Sequence, residues 1–365
     1  MLLIAGLRTA LGEDWDLTRA PGFLGSSEFM LHVTGPGGSM FTFADGGDGR
    51  GVHPALFWMA HERNRPDLLQ LEWGWFPHFA AAEGTGKRRP INNRFLPLLL
   101  HWCPDAAALK SARAPSALSW VGHGAQPTAM HRTAWDAQAV WIGLKGGRGS
   151  VNHAHLDAGS FVIEAGGVRW AIDLGMQDYH SLESKGIALW GKGQEAPRWT
   201  VFRLNNRGHN TLTVNDRLHF VDADARILAH SADNPADRYT TVDLTATLGG
   251  NITQAHRSFR LQSDGTVQIE DALEGLASKD SVRWAMHTRA SVAAEGSNAV
   301  LSQNGKQFLA TIVEPAEAVF QAEPLPDPTD GFNAPNPGVS RLWIELSAPA
   351  SGAMRITVRL KLHSS

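Results

Sequence analysis

From about residue 116 onwards, the chain is a succession of short runs in which apolar and polar residues alternate. Examples are GSFVIEAGGVRWAIDLG, SFRLQSDGTVQIEDAL and MRITVRLKL, and Gly, Asn-Asp or Ser-Asp-Gly turns separate such runs. A strand points successive side chains to opposite faces, so this alternation indicates strands with one buried face. Seven or more such runs with frequent turn signals predict antiparallel sheets stacked as a sandwich over residues 116–365.

Residues 1–115 differ in texture and predict a mainly helical region. The segments MLLIAGLRTAL, HPALFWMAHERN and NRFLPLLLHWC space their apolar residues as one face of a helix does. Between them, EFMLHVTGPGGSMFTFAD predicts a hairpin around its Gly-Pro-Gly-Gly turn. The small-residue, Pro-containing stretch 104–119 predicts the boundary. The expected fold class is therefore α+β, with a partial helical layer followed by a large antiparallel β-sandwich.

Composition excludes several classes of function. The net charge of −3 without a basic block argues against nucleic-acid binding, and no run approaches 18 apolar residues, which argues against membrane insertion. Cys103 is the only cysteine, so an intrachain disulfide or a thiolate metal cluster is impossible. The first residues lack the basic region of a signal peptide. We expect the chain to open inside a helix, part-way through a domain.

The segment NHAHLDAGSF contains His153 and His155 two residues apart. The Gly-Gly turn of the following hairpin would place Ser160 opposite Asp173. If the strand simply ran on, His155 would lie roughly 16 Å along the sheet from Asp173. The two residues can therefore share a metal only if the loop folds back, and Gly159 makes such a bend feasible.

Imidazole and carboxylate groups suit zinc and other divalent ions. Two histidines at this spacing occur more often on an ordinary polar surface than at a metal site, so the pattern alone does not establish a metal. His209 enters a strand in GHNTLTVND, and Asp173 ends one. These two side chains can meet at one edge of a sheet, although a loop histidine bonded to backbone would give the same pattern.

The stretch NHAHLDAGSFVIEAGGVRWAIDLG, followed by GHNTLTVND, resembles the heparinase II/III family of polysaccharide lyases, which includes related alginate and oligoalginate lyases. The resemblance extends over essentially the whole chain. It implies a helical toroid, of which residues 1–115 would be a remnant, and an active cleft between it and the sandwich. It also implies catalysis by His153 and a structural divalent metal, usually zinc, held by His155, Asp173 and His209.

The reaction implied by this resemblance is β-elimination on a uronate-containing polysaccharide. A base removes the C5 proton, another group neutralises the uronate carboxylate, and an acid protonates the oxygen leaving C4. His153 is suited to the base because histidine titrates near neutrality. Asn152, Tyr179 and Arg207 are the candidate substrate-binding residues. Asn152 could instead fix the loop, and Arg207 could be an ordinary surface arginine.

The chain departs from the family in one respect. Relatives carry a tyrosine acid in the toroid, but the tyrosines here are Tyr179 and Tyr239, and neither lies in the matching segment. We therefore expect the C-terminal part of a lyase that cleaves acidic polysaccharide hardly at all by itself. An incomplete helical layer also predicts self-association into homo-oligomers.

Two other functions stay open at this point. One is a non-catalytic carbohydrate-binding or structural module with a metal-stabilised sandwich. The other is a metallohydrolase, for which Asp157 would be the acidic base. The sequence does not name the sugar. The compartment also stays open: relatives are periplasmic or secreted, but we expect any signal peptide to have been lost with the N-terminal part of the enzyme.

Overall fold

The computed structural model describes residues 1–72, 94–105, 107–108, 112–232, 234 and 237–363. The chain divides into two compact units. The first comprises Met1–Thr34 and Gly49–Trp120, and the second comprises Gly35–Asp48 and Val121–Ser365. The stretch 104–119, expected to be the boundary, lies partly outside the described residues.

The segment Gly35–Asp48 belongs to the second unit, although the sequence predicts that it is part of the helical region 1–115. Side-chain hydrogen bonds explain the difference. The Gly37 amide donates to the Glu164 carboxylate at 2.7 Å. The Thr42 hydroxyl donates to the Asp173 carbonyl at 2.9 Å. Such long-range polar contacts leave no periodic trace in the sequence.

The first unit is helical in its described residues. Its α-helices are α1 (Leu2–Leu11), α2 (Ser27–His32), α3 (Pro54–Arg63) and α4 (Leu99–Trp102). Its 3₁₀ turns are Leu17–Arg19, Leu24–Ser26, Pro66–Leu69 and Leu96–Leu98. The hairpin expected over EFMLHVTGPGGSMFTFAD is wrong in its first half, because residues 28–32 are helical.

Helix α1 forms where its leucine spacing predicts, but the buried residue is Ile4. Leu3 and Leu11 are 68% and 59% exposed. Polar contacts hold the helix instead: Arg8 donates to Asp14 at 2.9 Å and to Glu62 at 2.5 Å. No helix in the described part of the chain has the length and apolar character needed to cross a membrane.

The second unit is built from antiparallel strands, the first of which begins in the last two residues of the first unit. The strands are β1 (Ser119–Gly122), β2 (Thr128–Arg132), β3 (Trp141–Lys145), β4 (Phe161–Ala165), β5 (Val168–Ala171), β6 (Leu212–Val214), β7 (Ile227–Ser231), β8 (Asp237–Asp243), β9 (Gln254–Gln262), β10 (Val267–Glu274), β11 (Ser281–Thr288), β12 (Ser291–Glu295), β13 (Asn298–Gln303), β14 (Lys306–Glu314), β15 (Gln321–Pro324), β16 (Ser340–Ser347) and β17 (Met354–Leu362). Two short helices interrupt them, α5 (Tyr179–Glu183) and α6 (Thr245–Leu248). The 3₁₀ turns are Pro197–Thr200, Phe202–Leu204 and Asn206–Gly208.

These strands form three sheets. Their orders are β1-β2-β3-β4-β5, β15-β16-β11-β6 and β12-β13-β14-β17-β10-β9-β8-β7. A bridge between Ile172 and His287 connects the five-stranded sheet to the four-stranded sheet. Buried and partly exposed residues alternate along β8 and β9, as expected for strands with one buried face.

Aromatic side chains fill the space between the sheets. Phe161 of β4 meets Phe259 of β9 edge-on with ring centroids 5.7 Å apart. Trp170 of β5 stacks on Phe308 of β14 at 5.1 Å. All four rings are fully buried, so the apolar surface they remove from water stabilises the packing of the sheets. The predicted α+β fold with an antiparallel β-sandwich is confirmed.

The β4–β5 hairpin turns at Gly166–Gly167, as predicted, and both glycines have positive φ. After the turn the register shifts by one residue, so that Ile163 pairs with Ala171. The expected pairing of Ser160 with Asp173 is therefore displaced along the backbone. The side chains still meet, since the Ser160 hydroxyl donates to the Asp173 carboxylate at 3.0 Å.

Candidate functional site

The loop before β4 folds back on itself, as a shared metal would require. Gly159 has φ +76°, and its amide donates to the Lys145 carbonyl at 2.9 Å. A Cβ at Gly159 would lie 2.9 Å from Leu244, so a larger residue would meet both strain and crowding. The bend brings the ring of His155 to 5.3 Å from that of His209, measured between centroids.

Asn210, the residue after His209, holds three strands together. Its side-chain amide donates to the carbonyls of Phe161 and Ile172, both at 2.7 Å. Its side-chain oxygen accepts from the His287 amide at 2.7 Å. This buried asparagine fixes the backbone from which His209 projects. No motif in the sequence had singled out Asn210.

A buried group of possible metal ligands lies at this point. His155, Asp157 and His209 each offer one ligand atom, and these atoms lie within 4.8 Å of one another. His155 Nδ1 and His209 Nε2 are buried and have no hydrogen-bond partner among the described residues. Buried polar atoms normally have partners. Divalent ions such as zinc bind imidazole nitrogen and carboxylate oxygen. Two free imidazole nitrogens beside a carboxylate therefore fit a metal ion.

Asp173 contacts the same group through His209. Its Oδ2 atom accepts from His209 Nδ1 at 2.8 Å, and its Oδ1 atom accepts from the Gly175 amide at 3.0 Å. In this arrangement Asp173 orients His209, as carboxylates do for metal-bound histidines. The carboxylate grouped with the two histidines is that of Asp157, which also forms a buried ion pair with Lys145.

The electrostatics separate the two buried histidines. Burial lowers the pKa of His155, and its hydrogen bond to Asp45 offsets this only in part. Burial also opposes protonation of His209, but the neighbouring Asp173 carboxylate outweighs it and raises the pKa of His209. For Asp173, burial is outweighed by His209, and the pKa falls to about 2. His155 is therefore held neutral, the form that binds metals.

His153 lies on the exposed side of the same loop, and 59% of its side chain is accessible. Its backbone has φ +61°, which is unusual for a residue other than glycine and is often found at functional sites. Its Nδ1 atom lies 2.8 Å from both Asp45 Oδ2 and Tyr179 Oη. When Nδ1 donates to Asp45, the Nε2 lone pair is left free to accept a proton.

Asp45 joins the exposed and buried parts of this site. Its Oδ1 atom accepts from His155 Nε2 at 3.1 Å, and Tyr179 donates to Oδ2, the oxygen that also faces His153 Nδ1. Burial opposes ionisation of Asp45, but the hydrogen bonds from His155 and Tyr179 outweigh it and lower the pKa. Sequence reasoning missed Asp45. The signal available was its place at the end of the GSMFTFAD run, directly before Gly46.

An aromatic surface surrounds His153. Tyr179 begins α5, whose N-terminus is capped by the Asp178 side chain at 2.8 Å. The Tyr179 ring stacks on His153 with centroids 6.2 Å apart. Trp190, 58% exposed, lies edge-on to both rings. Exposed aromatic rings beside polar groups suit the stacking of a sugar ring.

The other predicted substrate-binding residues have different surroundings. Asn152 is exposed in the turn directly before His153. Arg207 is paired with Asp216, nine residues further on, through Nε at 3.0 Å, and no hydrogen bond in the described residues connects it to His153. Arg198, which the sequence reasoning missed, is buried, and its charge interacts with the Asp45 carboxylate. It donates to the Ala154 carbonyl at 2.9 Å.

Comparison with solved structures shows the fold at low sequence identity. A heparinase III gene product has a TM-score of 0.60 with 15% identity, over 92% of this chain and 45% of that one. A heparan sulfate lyase from Pedobacter heparinus gives 0.60 with 14% identity, over 92% and 45%. Another heparinase III gives 0.62 with 13% identity, over 95% and 49%. The chain thus spans about half the length of these structures.

No curated protein sequence matches the chain. The family described as "Heparinase II/III-like, C-terminal" matches residues 139–358, which is more than half of the 365 residues. This match contains the histidine loop, the β4–β5 hairpin and the His209 segment. The chain belongs to the heparinase II/III-like C-terminal family.

Proposed function

We propose that this chain carries the catalytic-histidine side of a polysaccharide lyase that cleaves a uronate-containing polysaccharide by β-elimination. The observation that carries the proposal is the exposed His153, whose Nδ1 lies 2.8 Å from both Asp45 and Tyr179. Structures that share the fold are titled heparinase III and heparan sulfate lyase. We therefore propose an acidic glycosaminoglycan as the first substrate to test, with alginate as the second.

In the proposed reaction, His153 Nε2 takes the proton from C5 of the uronate. The electron pair of that C–H bond forms the C4–C5 double bond, and the C4–O bond breaks with its electrons going to oxygen. The leaving oxygen then needs a proton. Burial, followed by the hydrogen bond to Asp45, raises the pKa of Tyr179. Tyr179 therefore stays protonated and can donate to the sugar or to its leaving oxygen.

The uronate carboxylate must be neutralised, because the departing C5 proton leaves negative charge that spreads into it. Arg198 is the cation we propose for this role, since its charge acts on Asp45 and Tyr179 beside His153. Asn152, exposed in the turn next to His153, is proposed to hydrogen-bond the sugar. Arg207 stays a prediction as a second carboxylate clamp. Its guanidinium would have to leave Asp216 to act there.

We propose that a zinc or similar divalent ion is held by His155 and His209 together with an aspartate. The ion would act as a structural tie that fixes the loop bearing His153, because metal binding is linked to folding. Two aspartates are candidates for the carboxylate ligand. Asp157 is grouped with the histidines, and Asp173 bonds to His209.

Efficient elimination is proposed to need more than these residues. The match covers 45% of the first heparinase III structure. The groups in the other part of that structure are therefore not matched by residues of this chain. One acid or base contributes about 10²–10⁴-fold, and we expect weak cleavage by the 365-residue chain. A non-catalytic carbohydrate-binding module is the alternative, and it would bind acidic oligosaccharides without any cleavage.

The test is the ultraviolet absorbance of the unsaturated uronate product, measured with heparan sulfate and with alginate. His153→Asn is the informative variant, because asparagine tolerates positive φ and the side chain is mostly exposed. We expect a slow absorbance increase that this variant removes while the melting temperature stays unchanged. Leu228→Asn, at another exposed position, is the control. Equal rates in wild type and His153→Asn would refute the assignment of the base.

A further inference from the structure

A cavity of about 400 Å³ in the second unit contains two arginines that the chemistry above does not use. Its walls come from three loops and three separate residues: the loops contribute residues 46–48, residues 173–176, and Asn336, Pro337 and Val339, and the separate residues are Thr42, Arg203 and Arg289. Gly46 directly follows Asp45, and Asp173 is the partner of His209. The cavity therefore borders the candidate site.

The two arginines have only neutral partners. Arg203 donates to the Asn336 side-chain oxygen at 3.0 Å and to the Met176 carbonyl at 3.1 Å. Arg289, which is exposed, donates to the Pro337 carbonyl at 3.4 Å. Within the described ranges, neither guanidinium forms an ion pair with a carboxylate. Loop contacts thus hold Arg203 in place without neutralising its charge.

The two charges also act on each other. Burial, and after it the charge of Arg289, lowers the pKa of Arg203, while Asp173 opposes this change. The Asp173 carboxylate is already satisfied by His209, Ser160 and the Gly175 amide. The other acid in the wall, Asp48, is exposed. Two positive charges, of which loop contacts hold that of Arg203 in place, therefore share a cavity with the exposed carboxylate of Asp48.

We propose that this cavity is an anion subsite that receives a carboxylate or sulfate group of an acidic oligosaccharide, in a sugar unit beyond the one at His153. A guanidinium presents a planar fork of N–H donors that matches both anions. The proposal rests on the proposed function only for the identity of the polymer. The subsite would select for chains with a second acidic group at a fixed distance from the reacting uronate.

The test is the binding of two probes by calorimetry at low salt: a sulfated uronic-acid oligosaccharide and the same oligosaccharide after desulfation. Arg289→Gln is the principal variant, because its side chain is exposed and makes one long contact. Arg359→Gln removes the same charge from an exposed position on β17, outside the cavity wall. We expect about fivefold weaker binding for Arg289→Gln, recovery in Arg289→Lys, and no change in Arg359→Gln.

The two probes identify the anion. If only the sulfated probe loses affinity, the subsite holds sulfate, and if both probes lose affinity equally, it holds carboxylate. Equal affinities of wild type and Arg289→Gln for both probes would overturn the proposal, as would an equal loss in Arg359→Gln. Arg203→Gln serves as the second variant, and its melting temperature shows whether the loop contacts have failed.

The test of the anion subsite can be distinguished from the test of catalysis by His153. Binding is measured in the His153→Asn background, where no elimination is expected, so the anion subsite is read without catalysis. If His153→Asn leaves the rate of elimination unchanged but Arg289→Gln weakens binding, the catalytic proposal fails and the subsite stands. If His153→Asn removes elimination but Arg289→Gln does not weaken binding, the subsite is rejected and the catalytic proposal stands.

Discussion

Asp45 Oδ2 lies 2.8 Å from Nδ1 of His153, a residue 108 positions away in the sequence. This hydrogen bond determines which imidazole nitrogen holds the proton. In Asp45→Asn, the side-chain amide can donate to Nδ1 of His153. Nδ1 then carries the lone pair and Nε2 carries the proton, so Nε2 can no longer accept a proton from the substrate. We expect the rate of elimination to fall about tenfold to a hundredfold.

The measurement is the pH dependence of the elimination rate for wild type and Asp45→Asn. Because Asp45 also accepts from His155, the metal content of the variant must be determined alongside. Asp45→Glu keeps the charge and serves as the matched control. A rate unchanged across the pH range in Asp45→Asn would show that the contact has no part in the reaction.

The identity of the carboxylate ligand can be decided by two isosteric variants. Asp157→Asn and Asp173→Asn each remove one negative charge without changing shape. If Asp157 is the ligand, its variant should lose most of the bound zinc, and Asp173→Asn should lower zinc affinity about 10–100-fold through His209. Elemental analysis and competition with a chelator measure both effects. The opposite order would make Asp173 the ligand.

Buried histidines predict that stability falls on acidification. Burial, with smaller contributions from His230 and Arg238, lowers the pKa of His131 to about 3. The unfolded chain, with an ordinary pKa near 6.5, therefore binds the proton first as the pH falls. This contribution to stability is fully present above about pH 6.5 and is lost on acidification towards pH 3. The slope is about 1.4 kcal/mol per pH unit for each such histidine.

Urea unfolding at several pH values between 7 and 4 measures this slope. His131→Gln keeps a hydrogen-bonding group near Thr240, whose hydroxyl lies 2.8 Å from the imidazole, and removes the titration. At equal metal content, the slope of the unfolding free energy against pH should be smaller in the variant by the contribution of about one proton. An identical slope in wild type and variant would contradict the assignment.

A buried ion pair holds the backbone next to the candidate site. Arg257 of β9 contacts Asp271 of β10 through two bonds of 2.6 and 2.9 Å, and it donates to the carbonyls of Gly159 and Asn210 at 3.0 Å. Arg257→Met alone leaves Asp271 as an unpaired buried charge and should cost about 3–5 kcal/mol. The double variant with Asp271→Leu should recover much of that loss.

Chemical denaturation gives these stabilities, and zinc content reports on the loop. Since the double variant still lacks the donors to Gly159 and Asn210, we expect it to bind zinc more weakly even where stability returns. Unchanged stability in Arg257→Met would show that the pair contributes nothing to the fold.

The exposed leucines of α1 predict self-association. Leu3 and Leu11 are 68% and 59% exposed, and Leu100 is 89% exposed. Burying such apolar surface is favourable, so sedimentation velocity at rising protein concentration should show oligomers. Leu3→Glu with Leu11→Glu should shift the distribution towards monomer, while Val313→Glu, on β14, should not. A monomer at all concentrations would refute the prediction.

Alternation predicted strands such as β9 and β10 because each buries one face, and family resemblance singled out His153, His155 and His209 as candidate site residues. Long-range contacts escaped prediction for a physical reason. Asp45, Arg198 and Asp157 each make a hydrogen bond or charge interaction with a distant part of the sequence. No spacing rule records such contacts. The helical half of the expected hairpin was missed because its β-turn signal is equally compatible with a helix ending before it.

The one-residue shift in the β4–β5 hairpin has a consequence for how this gene can change in length. The shift falls between Glu164 and Ile163, on the path from the turn to Asp173. The shift lets two residues of β5 oppose one residue of β4, so a further residue inserted in β5 with the shift retained would turn the Asp173 side chain to the opposite face of the sheet. Surviving variants should therefore insert or delete residues at Gly166–Gly167 and carry no single-residue insertion between Val168 and Asp173, which a library of insertions and deletions selected for zinc retention would reveal.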